Sequence, residues 1–206
     1  MTAETTTTRL TARGAVTRER IVAAAADLMY VRGVGQTTLD DVLEASGVSK
    51  SQLYRHFANK DEVVRAVIER MGQHVIQREQ NNLGRVSTMA GLRRWRDVLV
   101  QNNALRHGAY GCALGSFASE VADHDDVARE MLSALFAEWR DLLEAAVRRL
   151  QENGSLRSDA PVDELAIGLL AALQGGYLLA QTARDVAPMA TSIDMALTHI
   201  ESYSPS

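Results

Sequence analysis

The chain has 206 residues, 46% of them hydrophobic and 23% charged, which is globular composition and excludes wholesale disorder. Three Pro and 14 Gly exclude collagen-like or Pro-rich chains, and the single cysteine, Cys112, excludes a disulfide framework or an all-Cys zinc site within one chain. Residues 1–60 carry 8 Lys and Arg against 6 Asp and Glu, and the rest 14 against 20, so a small basic head sits on an acidic body of net charge −4 overall.

Ala and Leu dominate and aromatics make up only 5%, which favours helices throughout. Residues 1–16 are polar and Thr-rich, with no apolar stretch before a cleavage site, and read as a mobile tail rather than a signal peptide. Its Arg9 and Arg13 could reach a DNA minor groove or simply be solvated. Thr17 is a good N-cap for a first helix with Glu19 in its first turn and the apolar stripe Ile21, Ala24, Ala25, Leu28 and Met29, closed by Gly33 and Gly35. A second helix begins at Thr38, with Asp41 three residues on, and buries Leu39, Val42 and Leu43 before Gly47 stops it.

The third helix has the best local signature. Ser49 and Gln52 form a Ser-x-x-Gln capping box, and Val48 with Leu53 forms a hydrophobic staple. Asn59 then caps a fourth helix with Glu62 at its third position, continuing through Val63, Val67 and Ile68 to about residue 82. Three helix starts in quick succession, with one Gly-containing turn between the second and third, describe a helix-turn-helix.

Beyond Gly84 the helices lengthen. Leu92, Trp95 and Leu99 form one stripe, 107–112 is turn-prone, and a short helix covers about 113–122. A long helix over about 125–152 carries Val127, Met131, Leu135, Leu142, Ala146 and Leu150, and Asn153-Gly154 closes it. Pro161, Asp163 and Glu164 start the next. Its uncharged stretch 165–183 is long enough to span a bilayer. Its two Gln, its Gly residues and the lack of a basic anchor instead predict a helix buried on all sides, and no membrane partner is expected. Pro188 ends that helix, and a final short one carries Ile193, Leu197 and Ile200.

On the third helix Leu53 and Phe57 take the inward face. Ser51, Gln52, Tyr54 and Arg55 lie on the outward arc, flanked by Lys50 and His56. Gln can pair bidentately with adenine, and Ser and Arg can read base edges. Tyr54, His56, Lys60 and the Thr38 hydroxyl are placed to hold phosphates. The arc, with Ser49 at its start, could equally be a solvated surface.

Residues 17–70 resemble the DNA-binding domain of TetR/AcrR-type transcriptional regulators. The stretch from Thr37 to Glu62 carries the resemblance, with Gly47-Val-Ser-Lys50, Leu53-Tyr54, His56-Phe57 and Lys60 following the family pattern. Tyr110-Gly-Cys-Ala-Leu-Gly115, followed by Glu120, is similar to a segment of the LmrA/YxaF-like branch. The resemblance implies an all-α fold: a helix-turn-helix domain over 17–62 and a helical ligand-binding and dimerisation domain over 63–206. It implies a homodimeric repressor of a double-stranded DNA operator, released by a small-molecule effector, cytoplasmic and without a cofactor. Candidate effector contacts are Trp95, Leu99, Tyr110, Cys112, Phe117, Met131, Leu135, Gln174 and Tyr177. One short recognition helix makes few base contacts, so tight binding needs two half-sites about 34 Å apart. The expected dimer face is Ala166, Leu169, Leu170, Leu173, Gly176 and Ala180, with Trp139, Leu142 and Ala146 of the long helix completing a four-helix bundle; an intrachain core is the other reading.

Two other classes stay open. An enzyme would need Cys112 with His107, or a metal held by His107, Cys112 and His124, at spacings that match no catalytic pattern. A helical ligand-binding or scaffold protein would keep the C-terminal half and make the polar arc incidental.

Overall fold

A computed structural model describes residues 12–205. Among them nine helices and no strands are found, and they divide into two compact units, 1–67 and 68–206. The division falls inside α4, five residues past the boundary read from the sequence.

The first unit contains α1 (Ala12–Arg32), α2 (Leu39–Ser46), α3 (Lys50–His56) and the start of α4 (Lys60–Leu83). α1 begins at Ala12, not Thr17, and the Thr17 hydroxyl donates to the Arg13 carbonyl one turn back. Thr17 is therefore mid-helix rather than a cap. Residues 12–16 of the expected tail are helical, and Arg9 lies outside the described residues. The buried stripe of α1 is Ile21, Val22, Ala25, Ala26 and Met29, against which α2 and α3 pack.

Both short helices carry reciprocal capping boxes. Thr38 Oγ1 accepts from the Asp41 N–H, and Asp41 Oδ2 accepts from the Thr38 N–H. Ser49 and Gln52 repeat the arrangement on α3. Hydrogen bonding to Thr38 is what holds the Asp41 carboxyl below its ordinary value, with Arg32 adding to it. Gly47 closes α2 at φ 62°, the left-handed region where a side chain is strained, and its N–H donates to the Leu43 carbonyl. Arg20 donates to the Ser46 carbonyl beside it, fixing the turn to α1.

The second unit holds the rest of α4, then α5 (Met89–Ala104), α6 (Ala113–Val121), α7 (Asp126–Glu152), α8 (Val162–Ala183) and α9 (Ala187–Glu201). α8 packs on α7 and α9, α9 on α5, and α6 on α7. Pro188 lies in the first turn of α9; α8 ends five residues earlier, where Arg184 turns left-handed. A proline without an N–H is tolerated at a helix start, which makes Pro188 an initiator rather than a terminator.

Two packing expectations shift. On α7 the core residues are Ala128, Leu132, Trp139, Leu143, Ala146, Val147 and Leu150. The predicted stripe is out of phase in its first half: Val127 is exposed, and Met131, Leu135 and Leu142 are half-buried. α8 is long and apolar enough to cross a membrane, yet it buries only one face. Its opposite face leaves Ile167, Leu178 and Leu179 exposed.

Glu79 was not anticipated from the sequence. Its carboxylate is fully buried and accepts from Trp95 Nε1 at 2.8 Å and from Arg78 at 2.7–2.8 Å, joining α4 to α5. Gly176 is packed so closely on α9 that a Cβ there would stand 2.9 Å from Met189 Cα. Gly176→Ala is expected to destabilise the fold by about 1–3 kcal/mol, because backbone must move to admit the methyl group. Gly168→Ala, in open space on the same helix, should not destabilise the monomer; thermal unfolding of both variants checks the pair.

Candidate nucleic-acid interface and effector cleft

α3 is only seven residues long, too short to be stable alone. Two devices hold it. Leu53 is wholly buried and Phe57, at the C-cap, nearly so, anchoring the inner side. The Ser49 and Gln52 box satisfies two N–H groups at the start. The Arg18 guanidinium lies 5.3 Å from the Phe57 ring centroid, closing the apolar contact with a cation.

The outer side is therefore free to be polar. Lys50, Ser51, Gln52, Tyr54 and Arg55 are exposed and His56 is half-buried. Ser51 with Arg55, and Lys50 with Tyr54, form two neighbouring rows at four-residue spacing, and Lys50 Nζ sits 6.0 Å from the Tyr54 ring centroid. A helix of this shape, carried outward on a tight turn, can enter a major groove with its N-terminal half toward base edges.

Several predicted contacts turn out to hold the fold as well. Gln52 Oε1 accepts from the Ser49 N–H at 2.8 Å, so a bidentate pairing with adenine would first have to give up the cap. The Thr38 hydroxyl donates to Asp41 Oδ2 at 2.6 Å while accepting from the Asp41 N–H, leaving little for a phosphate. Lys60 is half-buried and donates to the Val34 carbonyl at 2.6 Å. The Ser49 hydroxyl caps Gln52 and contacts Ser51 Oγ at 3.1 Å. Each of these four, read as a DNA contact from its place beside the third helix, also engages a backbone partner within its own unit.

In the second unit a cleft of about 320 Å³ opens between α6 and α8. Cys112, Ser116 and Ser119 line one wall, and Gln174, Tyr177, Leu178 and Gln181 the other. Three predicted effector contacts, Cys112, Gln174 and Tyr177, meet here. Ser116, Ser119 and Gln181 were missed, although spacings of four from Cys112, three from Ser116 and seven from Gln174 mark the same helix faces. Trp95, Leu99 and Phe117 are core, and Trp95 spends its one polar atom on Glu79. Met131 and Leu135 are half-buried on α7, and Tyr110 is 38% exposed; none of the three lines the cleft.

The loop before α6 crosses the end of α8. His107, Gly108, Tyr110 and Gly111 all have positive φ. A Cβ on Gly108 would meet the Ala180 carbonyl at 2.5 Å, and one on Gly111 would meet Gln181 Oε1 at the same distance. At Gly108, where the obstacle is backbone, only glycine allows this approach.

The expected dimer face is corrected. Trp139, Ala146, Ala166, Leu169, Leu170, Leu173, Gly176 and Ala180 are all buried against this chain's own helices, and Leu142 is half-buried. The apolar stripe was real, but the core took it, because α7 and α9 both need a partner surface. Cys112 lies under the same packing. Burial pushes its thiol above the usual range, and the thiolate is the reactive form. Among the described residues no cluster of His, Cys, Asp and Glu could hold a metal ion, so His107, Cys112 and His124 are not gathered into a site.

A braced helix-turn-helix unit joined by one helix to a larger helical unit is the architecture of a DNA-binding transcriptional regulator. Family comparisons agree. The sequence model of "Bacterial regulatory proteins, tetR family" matches residues 21–67, and that of "Tetracyclin repressor-like, C-terminal domain" matches 88–196. The chain belongs to the TetR family of transcriptional regulators, with a ligand-binding C-terminal domain.

The chain is 26% identical over 172 residues to the HTH-type transcriptional repressor DhaR of Mycobacterium sp. strain GP1, covering 84% of this chain and 86% of that one. It is 25% identical over 190 residues to the HTH-type transcriptional regulator LmrA of Bacillus subtilis, covering 91% and 94%. Among solved structures, a TetR transcriptional regulator from Chloroflexus aurantiacus matches with TM-score 0.75 and 29% identity, over 94% of this chain and 96% of that chain. A SmeT–triclosan complex matches with TM-score 0.68 and 26% identity, over 89% and 91%.

Ser49→Ala is expected to cost about 1 kcal/mol, the usual worth of an N-cap, read as a lowered denaturation midpoint. Iodoacetamide should label Cys112 far more slowly in the folded protein than in denaturant at the same pH; equal rates would contradict the buried, protonated thiol.

Proposed function

We propose that the protein is a homodimeric repressor that holds a near-palindromic operator and is released by a small, largely apolar molecule entering the cleft between α6 and α8. The observation that carries the DNA half is the division of α3 into a buried apolar side and an exposed polar side. Lys50, Ser51, Tyr54 and Arg55 together make the continuous polar outer surface that a base-reading helix needs. Arg55 and Ser51, which have no role in the caps beyond the Ser49 contact, are the base readers; Lys50 and Tyr54 hold the backbone. Gln52 contributes chiefly by keeping the helix formed.

The dimer uses the other side of α8 from the one the sequence pointed to. Ile167 and Leu179 are half or more exposed there, and Met195 on α9 is 70% exposed. Gly168 lies on the same surface with open space above it. Mid-helix glycines cost about 0.5–1 kcal/mol each relative to alanine. Nothing within the chain compensates that cost, whereas a second helix approaching closely would. Paired α8 and α9 from two copies make the four-helix bundle, replacing α7 in that role.

The switch runs through α4, which belongs to both units. A ligand favouring one arrangement of the second unit shifts the population of the whole molecule, and full reversal of occupancy takes about 5.5 kcal/mol of differential affinity. The site of action is the cytoplasm, where the DNA is.

Purified protein is expected to select discrete genomic fragments at moderate salt, with affinity falling as salt rises. Ile167→Asp should yield monomers that lose this selection while keeping their helical content. Arg55→Ala should cost about 1–3 kcal/mol at one base step per half-site, seen as relaxed preference there. Binding no tighter than to bulk DNA, or an Ile167→Asp variant that still dimerises, contradicts the proposal.

A further inference from the structure

The lining of the α6–α8 cleft bears on the chemistry of the effector, on the reading that this cleft is where the effector binds. Gln174 is its most informative side chain. Its Nε2 is shut off from solvent, makes no well-formed hydrogen bond, and faces only the buried Cys112 thiol, a weak acceptor. Its Oε1 stands 3.0 Å from where a Cβ on Gly115 would be, so the amide is pressed against the start of α6 with little room to turn away. Buried donors are nearly always satisfied in folded proteins, and one that meets only a thiol behind the wall of a cleft can turn to a stronger acceptor that arrives there.

The charge of that acceptor is also constrained. No acidic or basic side chain lines the cleft. Arg78, whose field reaches Cys112 and Tyr177, already donates from Nε to the buried Glu79 carboxylate and ion-pairs with it. A carboxylate or ammonium entering here would lose its hydration without a partner of opposite charge. The volume, about 320 Å³, lies at the small end of the roughly 300–1,000 Å³ range of ligand pockets.

We propose that the effector is a small uncharged molecule carrying a carbonyl or comparable neutral oxygen that accepts from Gln174 Nε2, with its apolar body against Tyr177 and Leu178. Gln174 is then the residue that sets specificity, and Cys112 supplies packing rather than reactivity.

The test uses full-length protein without DNA and three probes of one ring: acetophenone, ethylbenzene and benzoate. Binding is followed by titrating the backbone and side-chain amide resonances, with the Gln174 side-chain signal identified by its loss in Gln174→Leu. Acetophenone is expected to bind about tenfold more tightly than ethylbenzene or benzoate, a difference of about 1.4 kcal/mol, and to shift the Gln174 amide. In Gln174→Leu the acetophenone affinity should fall about tenfold while that of ethylbenzene holds or improves. Equal binding of acetophenone and ethylbenzene by the native protein, preference for benzoate, shifts confined to another region, or no saturable binding at millimolar concentration would each overturn the proposal. The comparison among probes on the native protein stands even if the variant does not fold. Operator selection is measured separately, so failure here is distinguishable from failure of the regulator reading.

Discussion

Everything about the first unit follows from the need to make seven residues helical while offering one side to another molecule. Such a segment cannot form a stable helix by propensity alone. Burial of Leu53 and Phe57 supplies the tertiary contact, and the Ser49–Gln52 box supplies the N-terminal hydrogen bonds. With those in place the outer positions carry no structural duty. They can be Lys, Ser, Tyr and Arg without loss of fold, and a surface so freed can be selected for what it touches.

The same constraint explains which polar residues stay in the background. Thr38, Gln52 and Lys60 have the chemistry to contact DNA, but each is engaged by a partner of its own unit. A side chain that fixes a turn or a cap is a positioning group: it decides where Ser51 and Arg55 point. The second unit divides its labour similarly. Glu79, Trp95 and Arg78 tie α4 to α5 through a buried carboxylate, while the cleft between α6 and α8 is lined by uncharged polar and apolar groups.

The helix-turn-helix was legible in the sequence because its signals are local. Capping boxes and Gly47 each act within a few residues, and both appear in the structure where the spacing put them. The resemblance of residues 17–70 to TetR regulators rests on those same positions. What was not legible is long-range. Periodicity identified α8 as apolar but could not say which face meets α7 and α9, so the buried stripe of Leu169, Leu173 and Ala180 was read as an interface. The phase of α7 slipped because Val127 and Leu142 match the helical period as well as Ala128 and Leu143 do. The role of Glu79 had no sequence signal at all, since a buried carboxylate depends on a tryptophan sixteen residues away.

The most direct measurement places α3 on DNA atom by atom. Ser51→Cys puts a thiol on its outer face, and the buried Cys112 leaves that thiol the reactive one. Duplexes carrying a disulfide-activated tether in the major or the minor groove of the selected operator then report which groove Ser51 faces. The account predicts cross-links only from major-groove tethers, at two symmetry-related positions separated by about one helical turn, roughly 34 Å, or a multiple of it. Cross-linking from the minor groove, at a single unpaired position, or at no position on a fragment the protein binds tightly would contradict it.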